Sequence, residues 1–331
     1  MSHLKDTDYL GLSSWLHVLE NRLLTTERME RMIEARDNAE AAKVLTECGY
    51  GELAEVSAAG LEKSLGAAQA GLFRELEKHL PEPGILAVFQ IKYDYHNAKA
   101  LVKARAKGVD PAPLLVGGGR YDPAKLRENF QDGRLEEYSE TFRAALLRAG
   151  DALASTDDPQ LCDFVLDKAC YAELSAAAAA TRSGLLKGYV ALMTDAANLR
   201  AAVRAARLGK DADFLDDVLL PGGNVDARAL ARAGAEGIAP LFKSSPLAKA
   251  AEAGAALAVP GGAALTQFEK LCDDAVTDYM RPARQVAFGE QTPIGYLYAR
   301  EAELTAIRTI MSGRFAGQSG DVIRTRLRTP Y

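Results

Sequence analysis

The feature that most restricts this chain is a repeat inside it. The stretch YDYHNAKALVKARAKG at residues 93–108 returns as TDAANLRAAVRAARLG at residues 194–209. In that register Asp94 falls on Asp195, Asn97 on Asn198, Lys99 on Arg200, Lys103 on Arg204 and Gly108 on Gly209. Beyond a short gap the copies agree again. GGRYDPAKL at residues 118–126 matches GGNVDARAL at residues 222–230, with three extra residues inserted in the later copy. A helix, a turn and the start of a second helix are thus repeated together, and a repeat of this kind decides the fold before any single residue does. A third, fainter copy, YAREAELTAIRTIMSG at residues 298–313, puts Tyr298 on Tyr93, Arg308 on Lys103 and Gly313 on Gly108. Ala299 and Ala302 take the places of the Asp and Asn. Units of roughly a hundred residues are large enough to hold small cores of their own. The expectation is three similar modules, residues 1–116, 117–220 and 221–331.

Each module reads as helical. Alanine, leucine, glutamate and arginine dominate, aromatics are only 7% of the residues, and no period-two run rich in Val, Ile and Thr interrupts them; the fold class predicted is all-α. Leu12, Trp15, Leu16, Leu19, Leu23 and Leu24 recur at spacings of three and four, marking an amphipathic first helix. Thr25, Thr26 and Glu27 then start a second, with Met29, Met32 and Ile33 on its inner face. Breaks are expected at residues 49–51, 81–84, 111–119, 157–159, 221–223, 244–246 and 260–262, where Gly, Pro, Asp and Ser gather.

Several function classes are excluded early. The chain has 331 residues, 48% of them hydrophobic and 26% charged, with a formal net charge of -5, so it can bury a core and carries no general affinity for nucleic acid. Cys48, Cys162, Cys170 and Cys272 are scattered without a CxxC pair, and His3, His17, His79 and His96 do not cluster with them, so no metal centre is expected. The start, MSHLKDTDYL, lacks the charged and apolar blocks of a secretion signal, and no stretch is apolar enough to span a membrane; a cytoplasmic protein with reduced thiols is expected.

The repeated motif holds an acid, an amide and cations, yet its structural reading is the stronger one. Asp94 and Asn97 lie three apart on one helical face, as do Asp195 and Asn198. Asp and Asn compete for backbone hydrogen bonds inside helices, so a recurring pair ties its helix to a neighbouring turn. His96, the residue a proton relay would need, has only Ala197 in the second copy. The run GGG at residues 117–119 lacks the lysine and hydroxyl of a phosphate loop and reads as a turn, with Asp122 as N-cap and Pro123 as first helical residue. Cys162 and Cys170 share a helical face with Leu166 and read as core. Arg324, Arg326 and Arg328 form a cationic rim able to meet an acidic partner. No catalytic residue, cofactor site or metal site is assigned.

Taken together, DYHNAKALVKA, its echo DAANLRAAVRAA, the opening YLGLSSWLHVLENRLLT, CGYGEL at residues 48–53 and the closing PIGYLYAREAELTAIRTIMSGRFAG with IRTRLR resemble the C subunit of the prokaryotic V-type (A-type) ATP synthases. That family is the counterpart of the d subunit of the vacuolar ATPase. The resemblance covers nearly the whole chain and implies a funnel of three pseudo-symmetric helical modules around an axis. It further implies a non-catalytic central-stalk rotor component, one copy per complex. Such a protein sits on the cytoplasmic face of the membrane rotor ring and receives the central shaft subunits, transmitting torque for proton or sodium ion transport. No nucleic acid, cofactor or membrane span of its own is implied. Two other readings stay open on the residues alone: an unrelated helical scaffold for another protein partner, and a helical enzyme using Asp94 and His96.

Overall fold

The computed structural model describes residues 4–331 and contains sixteen α-helices and no strand among them. The first four are α1 (Leu10–Glu20), α2 (Thr26–Glu34), α3 (Asn38–Glu47) and α4 (Ala58–His79). There follow α5 (Gly84–Lys107), α6 (Pro123–Asp132), α7 (Glu140–Thr156), α8 (Pro159–Ala180), α9 (Gly184–Arg207) and α10 (Ala212–Val218). Then come α11 (Ala227–Arg232), α12 (Gly234–Leu241), α13 (Ala248–Leu257), α14 (Thr266–Met280), α15 (Gln291–Phe315) and α16 (Gly320–Arg326).

Side-chain caps explain where most of these helices start. Thr25, Asp37, Ser57, Asp122, Ser139, Asp158, Ser183, Asp211, Asp226 and Ser319 each accept a bond from a first-turn amide, satisfying a donor that the helix leaves unpaired. Asp122 with Pro123 caps α6 as the sequence predicts. All seven expected breaks fall at junctions between α-helices, with Gly84 and Pro159 already the first residues of α5 and α8. A further break at residues 181–183, without Pro, turns through Arg182 at φ 61 before Ser183 caps α9.

The first helix is shorter than its leucine spacing predicts. It ends at Glu20, and Leu23 and Leu24 belong to the following turn. The amides of Arg22 and Leu23 bond to the carbonyls of Leu19 and Glu20, while the Leu24 amide donates instead to the carboxylate of Glu303, 2.7 Å away. A tertiary acceptor has replaced the helical one. In α2, Met29, Met32 and Ile33 are buried as expected.

The chain forms two compact units. One comprises the described residues up to Glu82, Phe242–Leu257 and Gly262–Tyr331; the other comprises Pro83–Leu241 and Ala258–Gly261. In the first unit α15 packs against α1, α2, α3, α4 and α16, and Ile307, Ile310 and Met311 of α15 join Met32, Leu45 and Leu65 in a common core. In the second, α8 packs against α5, α7, α9 and α10. The α5–α8 contact is antiparallel, as the ion pairs Lys99–Asp167 (2.6 Å) and Lys103–Asp163 (2.7 Å) require. All four cysteines are buried and none forms a disulfide, with Cys162, Leu166 and Cys170 in the core face of α8.

The third copy of the motif sits one helical turn from its expected register. Gly313 does not end its helix; α15 runs on to Phe315, and it is Gly317 that turns left-handed, at φ 65. Gly313 is instead a packing glycine, since a Cβ there would lie 2.7 Å from Ile323 on α16.

Candidate functional site

No metal-binding cluster of His, Cys, Asp and Glu occurs among the described residues, and none of their helices is long and apolar enough to cross a membrane. His3 lies outside the described residues. What the structure does assemble from the repeated motif is a polar node, built twice. Asn97 is fully buried on α5. Its amide donates to the Val116 carbonyl at 2.9 Å and its oxygen accepts from the Val116 amide at 2.9 Å. Asn198 on α9 does the same with Leu220, at 2.9 Å and 2.7 Å. A primary amide is the one neutral side chain with donor and acceptor side by side, so it pairs with one residue's backbone as a strand partner would.

One turn earlier the carboxylates complete the tie. Asp94 accepts from the Tyr121 amide at 3.3 Å, and Asp195 from the amides of Val225 (3.0 Å) and Asn224 (3.1 Å). The glycines of the following turn make room for this. A Cβ at Gly119 would lie 2.2 Å from the Asp94 carboxylate, and one at Gly223 would lie 2.2 Å from that of Asp195. The preceding Gly118 and Gly222 turn at φ 93 and φ 91, a conformation that side chains rarely tolerate.

The two nodes differ in charge. Arg120 reaches Asp94 through Nε at 2.6 Å and Glu173 of α8 through Nη1 at 2.9 Å. Glu173 also accepts from the Ser139 hydroxyl (2.7 Å) and the Tyr95 phenol (2.8 Å). In the second node Asn224 stands at the position of Arg120, and its amide donates to Asp195 at 3.0 Å. Burial pushes the Asp94 carboxyl up to about 6 against the pull of Arg120. It raises Asp195 as well, opposed by the bonds from Val225 and Asn224. Glu173 is partly buried, which raises its carboxyl, but the bonds from Arg120 and Ser139 prevail and hold it below the ordinary carboxylate value.

His96 does not join Asp94 in any of these bonds. Its ring faces the Leu114 carbonyl at 3.1 Å in an exposed position, so the acid and imidazole of the enzyme reading have separate partners. On α15 the buried charged residues are Arg300 and Glu303, paired with each other. Glu303 further accepts from the Leu24 amide and from the Tyr50 phenol at 2.7 Å. Burial raises its carboxyl while Arg300 opposes the shift.

The tail arginines are largely engaged within the chain. Arg324 pairs with Glu30, at 2.8 Å, and with Glu34 of α2. Arg328 pairs with Asp273 of α14 at 2.6 Å. Arg326 is exposed and bonds to Gln318 at 3.0 Å. Arg326 and Arg328, with Arg308, border a groove of about 710 Å³ whose other walls include Glu269, Asp273 and Ser312. Sequence reasoning names the Asp and Asn of each node but misses Arg120, Glu173, Gly119, Gly223 and Glu303. The matched GG pairs at residues 118–119 and 222–223 were the available signal.

A chain whose described residues form helices and no strand, with one polar tie built twice, is a helical-repeat protein. The sequence signature of the ATP synthase (C/AC39) subunit family matches residues 12–326, and the chain belongs to that family. It is similar to the C subunit of the V-type sodium ATPase of Enterococcus hirae, at 21% identity over 98% of this chain and 99% of the relative. It is also similar to the C subunits of A-type ATP synthases, being 26% identical to that of Desulfurococcus sp. over 67% of this chain and 64% of the relative. The match to that of Haloferax volcanii is 25% over 73% of each. It is accordingly a non-catalytic accessory component of a V/A-type rotary ATPase complex.

Proposed function

We propose that this protein is the central-stalk rotor socket of its complex, coupling the rotary shaft to the membrane rotor ring and transmitting torque for proton or sodium ion transport. In this reading one copy sits on the cytoplasmic face of the ring through protein contacts, and its three modules, residues 1–116, 117–220 and 221–331, surround an axis as a funnel whose mouth takes the foot of the shaft. The observation that carries the reading is the duplicated node. Asp94 with Asn97 and Asp195 with Asn198 bind their loops through the same atoms, a wiring suited to stiff, equivalent arms. Torque transmission needs stiffness, and buried polar ties between a helix and its loop supply it. Arg324, Arg326 and Arg328 are proposed partner contacts, with Arg326 the most open of them.

The test is co-purification. Membranes carrying the assembled ring should retain the protein, and a low-salt or chelator wash should release it together with the shaft subunits. Recovery of the protein free of both, from cells that assemble a working complex, would overturn the proposal.

A further inference from the structure

The three long helices α5, α9 and α15 end in the same way once the third copy is read one turn further on. Gly108, Gly209 and Gly317 are left-handed at φ 65, 63 and 65. Their own amides bond to the carbonyls of Arg105, Ala206 and Arg314. The next amides, of Val109, Lys210 and Gln318, bond back to Ala104, Ala205 and Gly313 at 3.0, 2.9 and 2.9 Å. All three close with one C-terminal capping motif, which α3 also uses at Gly49.

Counting back fourteen residues from each glycine reaches Asp94, Asp195 and Glu303. All three are buried carboxylates, and each accepts from the backbone amide that stands just before the N-cap of a short helix. The Tyr121 amide precedes Asp122 and α6, and the Val225 amide precedes Asp226 and α11. The Leu24 amide precedes Thr25 and α2. For α5 and α9 the short helix follows in the chain. For α15 it is the N-terminal α2.

A second pairing obeys the same order. Lys99 of α5 bonds to Asp167 of α8 at 2.6 Å. Arg308, which takes the place of Lys99 in the corrected register, bonds to Glu62 of α4 at 2.9 Å. Both α8 and α4 are 22-residue helices lying immediately before α9 and α5. The partner of α15 is again supplied by the beginning of the chain.

We infer that the repeat is cyclic, each module being counted here from its long helix through the short helix that its carboxylate holds and not by the bounds 1–116, 117–220 and 221–331: the N-terminal segment around α2 is the missing continuation of the third module, a strap held on α15 by Glu303. The first two modules keep their short helices by chain connectivity. The third keeps its own by side-chain contacts: the apolar packing of Met29, Met32 and Ile33 with Leu304, Ile307 and Met311, Glu303 with Leu24 and Tyr50, Arg314 with the carbonyls of Ile33 and Ala35, and Arg324 with Glu30 and Glu34. This seam is therefore where the third module opens. The inference does not rest on the rotor reading, because it concerns wiring within the chain.

Amide hydrogen exchange on the full-length protein tests it residue by residue. Glu303→Ala should speed exchange in α2, at Met29–Ile33, by about tenfold or more, with α6 and α11 unchanged. Asp94→Ala should loosen α6, and Asp195→Ala should loosen α11, each without touching α2. Where the alanine variant of Glu303 does not fold, Glu303→Gln keeps an acceptor oxygen and the volume, and should give a smaller rise at the same α2 amides. Unchanged α2 exchange in a folded Glu303 variant overturns the inference. So does loosening confined to α16, the helix that follows α15 in the chain, because the third module would then be completed in chain order like the others.

Discussion

The nodes at Asp94 and Asp195 hold the same loop geometry with different electrostatics. In both, an asparagine pairs with one residue's backbone and a carboxylate takes the amide five residues further on. Around Asp94 that carboxylate shares a guanidinium with Glu173, whereas around Asp195 its side-chain partner is the neutral amide of Asn224. The comparison teaches that the tie is geometric. Charge is an addition that binds the first node also to α7, through Ser139, and to α8, through Glu173. Buried ion pairs are expensive to desolvate and costly to break, so the charged node should be the more sensitive of the two.

The largest expected effect follows directly. Asp94→Ala leaves the half-buried Arg120 with one carboxylate and should cost about 3 kcal/mol. Asp195→Ala strands neutral donors only and should cost about 2 kcal/mol. Denaturant melts of the two variants measure the difference, and equal losses would remove charge from the account. Next come Gly119→Ala and Gly223→Ala, which should each lose about 2 kcal/mol by forcing a methyl group onto a carboxylate. Similar losses at the two sites, read from the same melts, would show that the close approach matters alike in the charged and the neutral node.

A smaller effect is expected from pH. The Asp94 carboxyl is raised from 3.8 to about 6. Between those values the unfolded chain has released a proton that the folded protein still holds, so stability falls as pH rises through that window. Asp94→Asn should flatten this slope, as seen in thermal melts across about pH 4 to 6. Asp195 is shifted in the same direction, and Asp195→Asn should flatten what slope remains. The smallest effect belongs to His96, which has no counterpart in the second node. His96→Ala should change stability by no more than about 0.5 kcal/mol, since its one bond is exposed.

The helical class, the start of α2 and the cap of α6 were legible in the residues, and the recurrence of an Asp with an Asn pointed to a shared role. Asp122 with Pro123 announces a helix start, and the pairing of Asp94 and Asn97 with Asp195 and Asn198 announces a recurring buried role. The limits appeared where the partner lies far off in the chain. Leucine spacing carried the first helix through Leu24, but that amide belongs to Glu303, 279 residues away. The tail arginines read as a rim for partners, yet Arg324 reaches back to Glu30 and Arg328 to Asp273.

What the sequence alone determined is local. Periodicity sets the helices, Asp, Ser and Thr set their starts, and a strict double repeat identifies residues that are needed twice. Only the tertiary structure decided the register of the third copy. Ala299 and Ala302 line up with the earlier motif when Gly313 is taken as the helix end, and nothing local argues against that choice. Gly313 packs against Ile323 while α15 runs on to Phe315 and the left-handed turn falls at Gly317, and the buried Glu303 is recognised as the third carboxylate only once the Leu24 amide is seen beside it. A hydrogen bond across 279 residues leaves no periodic trace in the chain, because the geometry that creates it exists only after folding.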